Sequence, residues 1–180
     1  MSDSLRKAKK PCEDLLLLAA KCKRGRHLYQ QSNDICSKLF EANKFASSAY
    51  FLASLNELSL DNTTASVVMA RKAVAHDPSS EHVVNLCRLL VKDGQQEEAA
   101  KHIQLELKKL EGSNQPNRRM WIKACLNLQV DVTIADNCFG RMVEGCSKMI
   151  RLDPRNVVHA ERLLWETMQK RPDQSDEILF

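Results

Sequence analysis

The stretch Ala73-Val74-Ala75-His76-Asp77-Pro78 returns in register as Met149-Ile150-Arg151-Leu152-Asp153-Pro154. In each copy the last turn of an amphipathic helix runs into Asp and then Pro. Proline lacks an N–H and restricts the residue before it, so the helix must stop there. The two prolines stand 76 residues apart, about twice the length of a two-helix repeat, which marks the chain as internally repeated.

Outward from these two endings the helical period continues in both directions. A first helix is expected from Pro11, a residue suited to a first turn, to Gly25 as a C-terminal cap. A second runs from about Arg26 to Glu41, with Ser32-Asn33-Asp34 as an expected interruption. A third, about Lys44 to Leu58, buries Phe45, Ala49, Phe51, Leu52 and Leu55, and Asp61-Asn62 then turns the chain and caps the next. The fourth carries Val67, Ala70, Ala73 and Val74 to Pro78; Ser79-Ser80 caps a fifth with Val83, Leu86, Cys87, Leu90 and Val91 on one face. After Lys92-Asp93-Gly94 comes a sixth, whose Ala99, Ile103, Leu107 and Leu110 recur at steps of four, four and three. Beyond the loop Gly112 to Asn117, a seventh helix holds Trp121, Ala124, Cys125 and Leu128, and an eighth holds Cys138, Met142, Cys146, Met149 and Ile150. A ninth, Asn156 to Arg171, has Val157, Val158, Leu163, Leu164, Trp165 and Met168 on more than one side. Sustained period-two alternation is missing, so the predicted fold class is all-α.

The composition agrees. In 180 residues there are only five glycines and five prolines, little punctuation for hairpins, with 43% hydrophobic and 28% charged residues. The longest apolar run, Leu15 to Ala20, falls far short of the ~20 residues of a bilayer span, and the N-terminus has no apolar signal core. No membrane partner is expected, and the cytosol or nucleus is the expected location. Seven cysteines, an odd number without a C-x-x-C pair, read as structural thiols, although Cys138 and Cys146 could share a helix face. Phosphate loops, paired metal-ligand spacings and nucleophile motifs are all missing. His27, His76, His82, His102 and His159 are expected to be solvated. No enzyme, no cofactor and no metal site is therefore predicted. The formal charge of +4 is concentrated at the start, where residues 1–27 hold eight Lys and Arg against three Asp and Glu.

The segments resemble tetratricopeptide repeats in degenerate form. That repeat has about 34 residues: a bulky residue opening the first helix, a small one at mid-helix, a tight Gly turn, two small residues in the second helix, then Pro. Residues 80–111 match best, with Leu86, Cys87, Leu90, Gly94, Ala99 and Ile103 in their slots and Glu111 where the closing Pro belongs. Residues 47–78 supply Tyr50, Ser54, Ala70, Ala73 and Pro78 but no turn Gly. Residues 123–154 keep the closing Pro, with Gln129 and Val130 where an apolar and a small residue belong. The resemblance implies a right-handed α-solenoid of antiparallel helix pairs, about nine helices, over residues 11–171. A basic arm, 1–10, precedes it and a tail, 172–180, follows.

It also implies a protein-interaction scaffold within a larger complex, with Phe51, Arg88, Lys92, Lys123 and Asn127 lining a concave face and Leu164 and Trp165 exposed for a partner on the last helix. Chaperone C-terminal tails are disfavoured, because Phe51 and Leu55 stand where Lys and Asn are needed and only Asn85 matches. The run Ala70 to Val74, Pro78-Ser79 and Arg88-Leu89-Leu90 is similar to the repeat scaffold of the superkiller complex, which implies the alternative of an RNA-associated module acting through the basic arm.

Overall fold

The computed structural model describes residues 13–41, 45–115, 117–135 and 139–170. Among them the chain is all-helical, without a strand. Nine α-helices follow in order: α1 (Glu13–Gly25), α2 (Tyr29–Ser37), α3 (Ala46–Ser59), α4 (Thr63–His76), α5 (Ser80–Lys92), α6 (Gln96–Glu111), α7 (Arg118–Ala135), α8 (Phe139–Leu152) and α9 (Val157–Lys170), with a 3-10 turn at Pro154–Asn156 before the last. Successive helices pack together, α1 on α2, α2 on α3 and α3 on α4, then α6 on α7, α7 on α8 and α8 on α9. The chain divides into two compact units, Met1–His82 and Val83–Phe180, with the boundary inside α5. The basic arm and the C-terminal tail lie outside the described residues, as do Pro11, Cys12 and Cys138.

Three helices end in the same hydrogen-bonded turn. His27, Asp61 and Gly94 all have positive φ, at 58°, 61° and 78°. At each, the following N–H reaches back five residues and its own N–H reaches back three: Leu28 to Lys23 O and His27 to Arg24 O, Asn62 to Glu57 O and Asp61 to Leu58 O, Gln95 to Leu90 O and Gly94 to Val91 O. This is the Schellman arrangement, which satisfies carbonyls that a helix end would otherwise leave bare. The three positions recur at 34 and then 33 residues. Gly25, expected as the cap of α1, is instead its last helical residue, and His27 takes the left-handed position. Asp61 does the same after α3, which is why the missing turn glycine does not abolish the turn; Asp and His tolerate this conformation better than most residues. The expected capping by Asn62 is also corrected. Its side chain makes no cap bond, and its Nδ2 instead donates to Glu57 Oε2 at 2.9 Å.

The two Asp-Pro endings share one backbone. Asp77 has φ −148° and ψ 105°, and Asp153 has φ −152° and ψ 111°. Each Asp N–H closes the last helical bond, to Ala73 O at 2.9 Å and Met149 O at 3.1 Å. The extended conformation is the one a following proline enforces.

The first unit buries Leu17, Ala20, Cys36, Leu39, Ala49, Leu52 and Ala53 together. A polar seam runs beside this core. Ser32 Oγ donates to Ala20 O (2.9 Å), Asn56 Nδ2 donates to Ser32 Oγ (2.9 Å) and Asn33 Oδ1 (2.8 Å), and Arg24 donates to Asn56 Oδ1 (3.0 Å). Asn33 Nδ2 donates in turn to Glu57 Oε1 at 2.6 Å, and Ser66 Oγ to Ser54 O at 2.7 Å. Ser32-Asn33-Asp34 therefore does not interrupt α2. The side chains of Ser32 and Asn33 are engaged by α1 and α3, so they do not compete for the backbone of their own helix.

In the second unit Leu126, Val130, Met142, Cys146, Met149 and Ala160 form one buried cluster, and Leu86, Cys87, Leu90, Ala99, Ile103 and Leu110 are buried around α5 and α6. Val130 fills the slot where a small residue is expected. The small residue comes from the neighbouring helix instead: a Cβ built on Gly145 would stand 3.1 Å from Val130 Cγ2.

Two stability tests follow from these contacts. Gly94→Ala meets no steric neighbour but must hold a positive φ, and should cost about 1–2 kcal/mol in urea unfolding, whereas Asp61→Gly should be neutral or stabilising. Gly145→Ala in the wild type should show little or no gain, because crowding against Val130 offsets helix propensity. In a Val130→Ala background the same change should stabilise by up to about 1 kcal/mol. Equal effects in both backgrounds would remove the packing argument.

Candidate interaction face

In the second unit, charges on two other helices act on one carboxylate of α7. Asp131 stands on α7 and is exposed, yet the atoms packed around it raise its pKa above the usual carboxylate value. The charges of His159 on α9 and Arg88 on α5 act in the opposite direction. On α7, Lys123, Asn127 and Asp131 follow at steps of four, and on α5 Arg88 and Lys92 do likewise, so each set forms a row along its helix. Arg88, Lys92, Lys123, Asp131 and His159 are exposed and Asn127 is half-buried.

Asn127 adds an unmet requirement. Its Oδ1 is buried and has no hydrogen-bond partner among the described residues, as is also true of Gln129 Oε1. A buried acceptor without a donor costs about 1–3 kcal/mol, which an incoming N–H would recover. The arrangement can thus offer cations to acidic groups and one buried acceptor to a donor.

Four of the seven residues predicted to bind a partner, Arg88, Lys92, Lys123 and Asn127, fall in these two rows on α5 and α7, and two more, Leu164 and Trp165, lie on α9. Phe51 belongs to the first unit and is half-buried, its ring tilted at 43° against His82 with centroids 5.0 Å apart. Leu164 packs partly against the core of the second unit. Trp165 is 60% exposed and Val158, seven residues earlier on the same side of α9, is 75% exposed. Asn85, the single match to a chaperone-tail clamp, is buried. Asp131 and His159 were missed by sequence reasoning; the four-residue spacing from Asn127 pointed to the first, but only the charge acting across helices brings in the second.

His82 corrects the expectation that every histidine is solvated. It is 7% exposed, with Nδ1 2.9 Å from Asp77 O and 3.5 Å from the Asp77 carboxylate. Cys36, Cys87, Cys125 and Cys146 are buried, and Cys22 is exposed. Burial pushes the Cys36 thiol up to about 11, and that of Cys87 and of Cys125 to about 12; at Cys87 the neighbouring Cys125 and Glu106 add to the shift. Such thiols stay protonated near neutral pH and are poor nucleophiles. Among the described residues, no group of three or more His, Cys, Asp and Glu is placed to hold a metal ion, and no helix is long and apolar enough to cross a membrane.

No protein-family model matches the chain and no curated protein matches it, so the face must be tested on its own residues. A carboxyl whose folded pKa is raised binds its proton more tightly in the native state than in the unfolded one. Its charge therefore opposes folding as pH rises through the folded value. Asp131→Asn should leave the melting temperature unchanged at about pH 3, below the ordinary carboxylate range, and raise it slightly at about pH 7. A lower melting temperature at pH 7 would show that Arg88 and His159 outweigh burial.

Proposed function

We propose that this chain is a non-enzymatic protein-interaction scaffold of a larger cytosolic or nuclear complex, holding a partner protein on the α5, α7 and α9 face. The carrying observation is the convergence of Arg88, Asp131 and His159 from three helices beside the unpartnered Asn127 Oδ1. Rows of charge on rigid helices recognise an extended segment by complementarity, and rigidity spares the cost of ordering the site on binding. Val158 and Trp165 form a second contact region, since aromatic side chains anchor interfaces.

We further read the architecture as a tetratricopeptide-like, right-handed solenoid of antiparallel pairs. The turn spacing of 34 and 33 residues supports that reading. So does the order of contacts: Lys23 meets Gln31 and Ala20 meets Ser32, Asn33 meets Glu57 and Phe40 meets Tyr50, Ser54 meets Ser66 and Tyr50 meets His76. In each set the numbering rises on one helix as it falls on the next, as in antiparallel neighbours.

Affinity purification of the full chain from cells at moderate salt tests the function. Wild type should retain a defined protein partner. The double change Arg88→Glu/Lys123→Glu should lose it by tenfold or more with helical circular dichroism unchanged, and Trp165→Glu should weaken it less. Recovery of the same proteins by wild type and the double variant would refute the assignment of this face.

A further inference from the structure

Aromatic residues are scarce, at 5% of the chain, yet three rings of the first unit are gathered in parallel. Phe40, just beyond α2, lies 4.1 Å from Tyr50 of α3 with the planes 9° apart. His76, at the end of α4, lies 5.4 Å from the same Tyr50 ring with the planes 18° apart. Lys72, one turn before His76, holds its Nζ 5.4 Å from the Tyr50 centroid. Phe40 and Tyr50 are half-buried, whereas His76 and Lys72 are exposed, so the imidazole and the ammonium are the solvent side of the stack.

Another aromatic pair of this unit is closed by comparison. His27 meets Tyr29 edge-on, at 85°, and its Nδ1 is 2.8 Å from the phenol oxygen. Arg24 covers the Tyr29 ring at 5.6 Å while donating to Asn56. That cluster has spent its ring edge, its hydroxyl and its cation within the protein.

We propose that the Phe40–Tyr50–His76 stack with Lys72 is a docking point for a nucleobase of a single-stranded nucleic acid. The base continues the parallel stack over the exposed His76 ring, and the Lys72 ammonium takes the adjoining phosphate. Every base has a π-face and every link a phosphate, so a ring plus a cation one helical turn apart meets the minimal requirement of single-strand recognition. The surplus of Lys and Arg in residues 1–27 adds long-range attraction for a polyanion. This surface shares no residue with the α5, α7 and α9 face, so its failure leaves that reading standing.

The test is fluorescence anisotropy of a labelled twelve-nucleotide oligoadenylate RNA with the full chain at low salt, beside an abasic strand with the same number of phosphates. The adenylate strand should bind at least fivefold more tightly than the abasic one. His76→Ala should weaken adenylate binding about 5- to 100-fold, the range of one base stacked on one aromatic ring, while His76→Phe restores it. Lys72→Ala should also weaken binding and reduce the slope of log affinity against log salt by about 0.7, the share of one phosphate contact on a single strand. Tyr29→Ala should change affinity by less than twofold. Equal affinity for the two strands, no binding of either at about 100 μM protein, or an unaltered affinity of a His76→Ala variant that keeps its circular dichroism would each overturn the proposal.

Discussion

The fold depends on how its helices are closed. A helix leaves four carbonyls without intrahelical partners, and in a chain of short helices those ends are a large share of all backbone polar groups. Here the ends of α1, α3 and α5 are all satisfied by the same pair of backward bonds around a single left-handed residue. The motif fixes the direction in which the chain leaves the helix, and it recurs at nearly constant spacing. The side chain at that position is secondary. Gly94 adopts the conformation without strain, while His27 and Asp61 accept a modest strain that the flanking helices offset through their packing.

Burial then divides the work between the two units in different ways. In the first, the contact among α1, α2 and α3 is partly polar, with Ser32 and Asn56 buried and bonded to one another. Such a seam contributes less free energy than apolar packing of the same area. It fixes register, because a slip of one residue would leave several buried donors unpaired. In the second unit, α7 and α8 are fitted by exchanging sizes, with Val130 large where a small residue is expected and Gly145 vacant opposite it. Close helix approach constrains the summed volume of facing residues, so either helix can carry the small partner.

That distinction explains what the sequence made legible. The Asp-Pro endings, the apolar period of α6 and the Gly94 turn are local rules, decided within a few residues, and they read correctly from Ala73–Pro78, Met149–Pro154 and Ala99–Leu110. The continuity of α2 through Ser32-Asn33-Asp34 was not legible, because the partners that make Ser32 and Asn33 compatible with a helix stand on α1 and α3. Gly25 misled for the reverse reason: glycine is the commonest residue at a helix C-terminus, but the bonds that close α1 are made by His27 and Leu28. Of the candidate face, Arg88, Lys92, Lys123 and Asn127 were legible as residues lining a surface, while Asp131 gains its meaning only from His159 and Arg88 across two other helices.

The scarcity of aromatic residues sharpens the physical reading of the rest. Where rings exist only to fill a core, edge-to-face and offset contacts in buried positions serve best, and Phe51 tilted on the buried His82 has that character. A near-parallel series that ends on an exposed imidazole does not, since the outermost ring gains little apolar burial from its position. Likewise Asn127 holds an acceptor out of water with no donor in the described structure, on a helix whose neighbouring turns present exposed Lys123 and Asp131. The second feature costs stability where it stands. A stable helical unit can carry such a cost because its turns and its core are satisfied elsewhere, and the cost falls where a ligand would remove it.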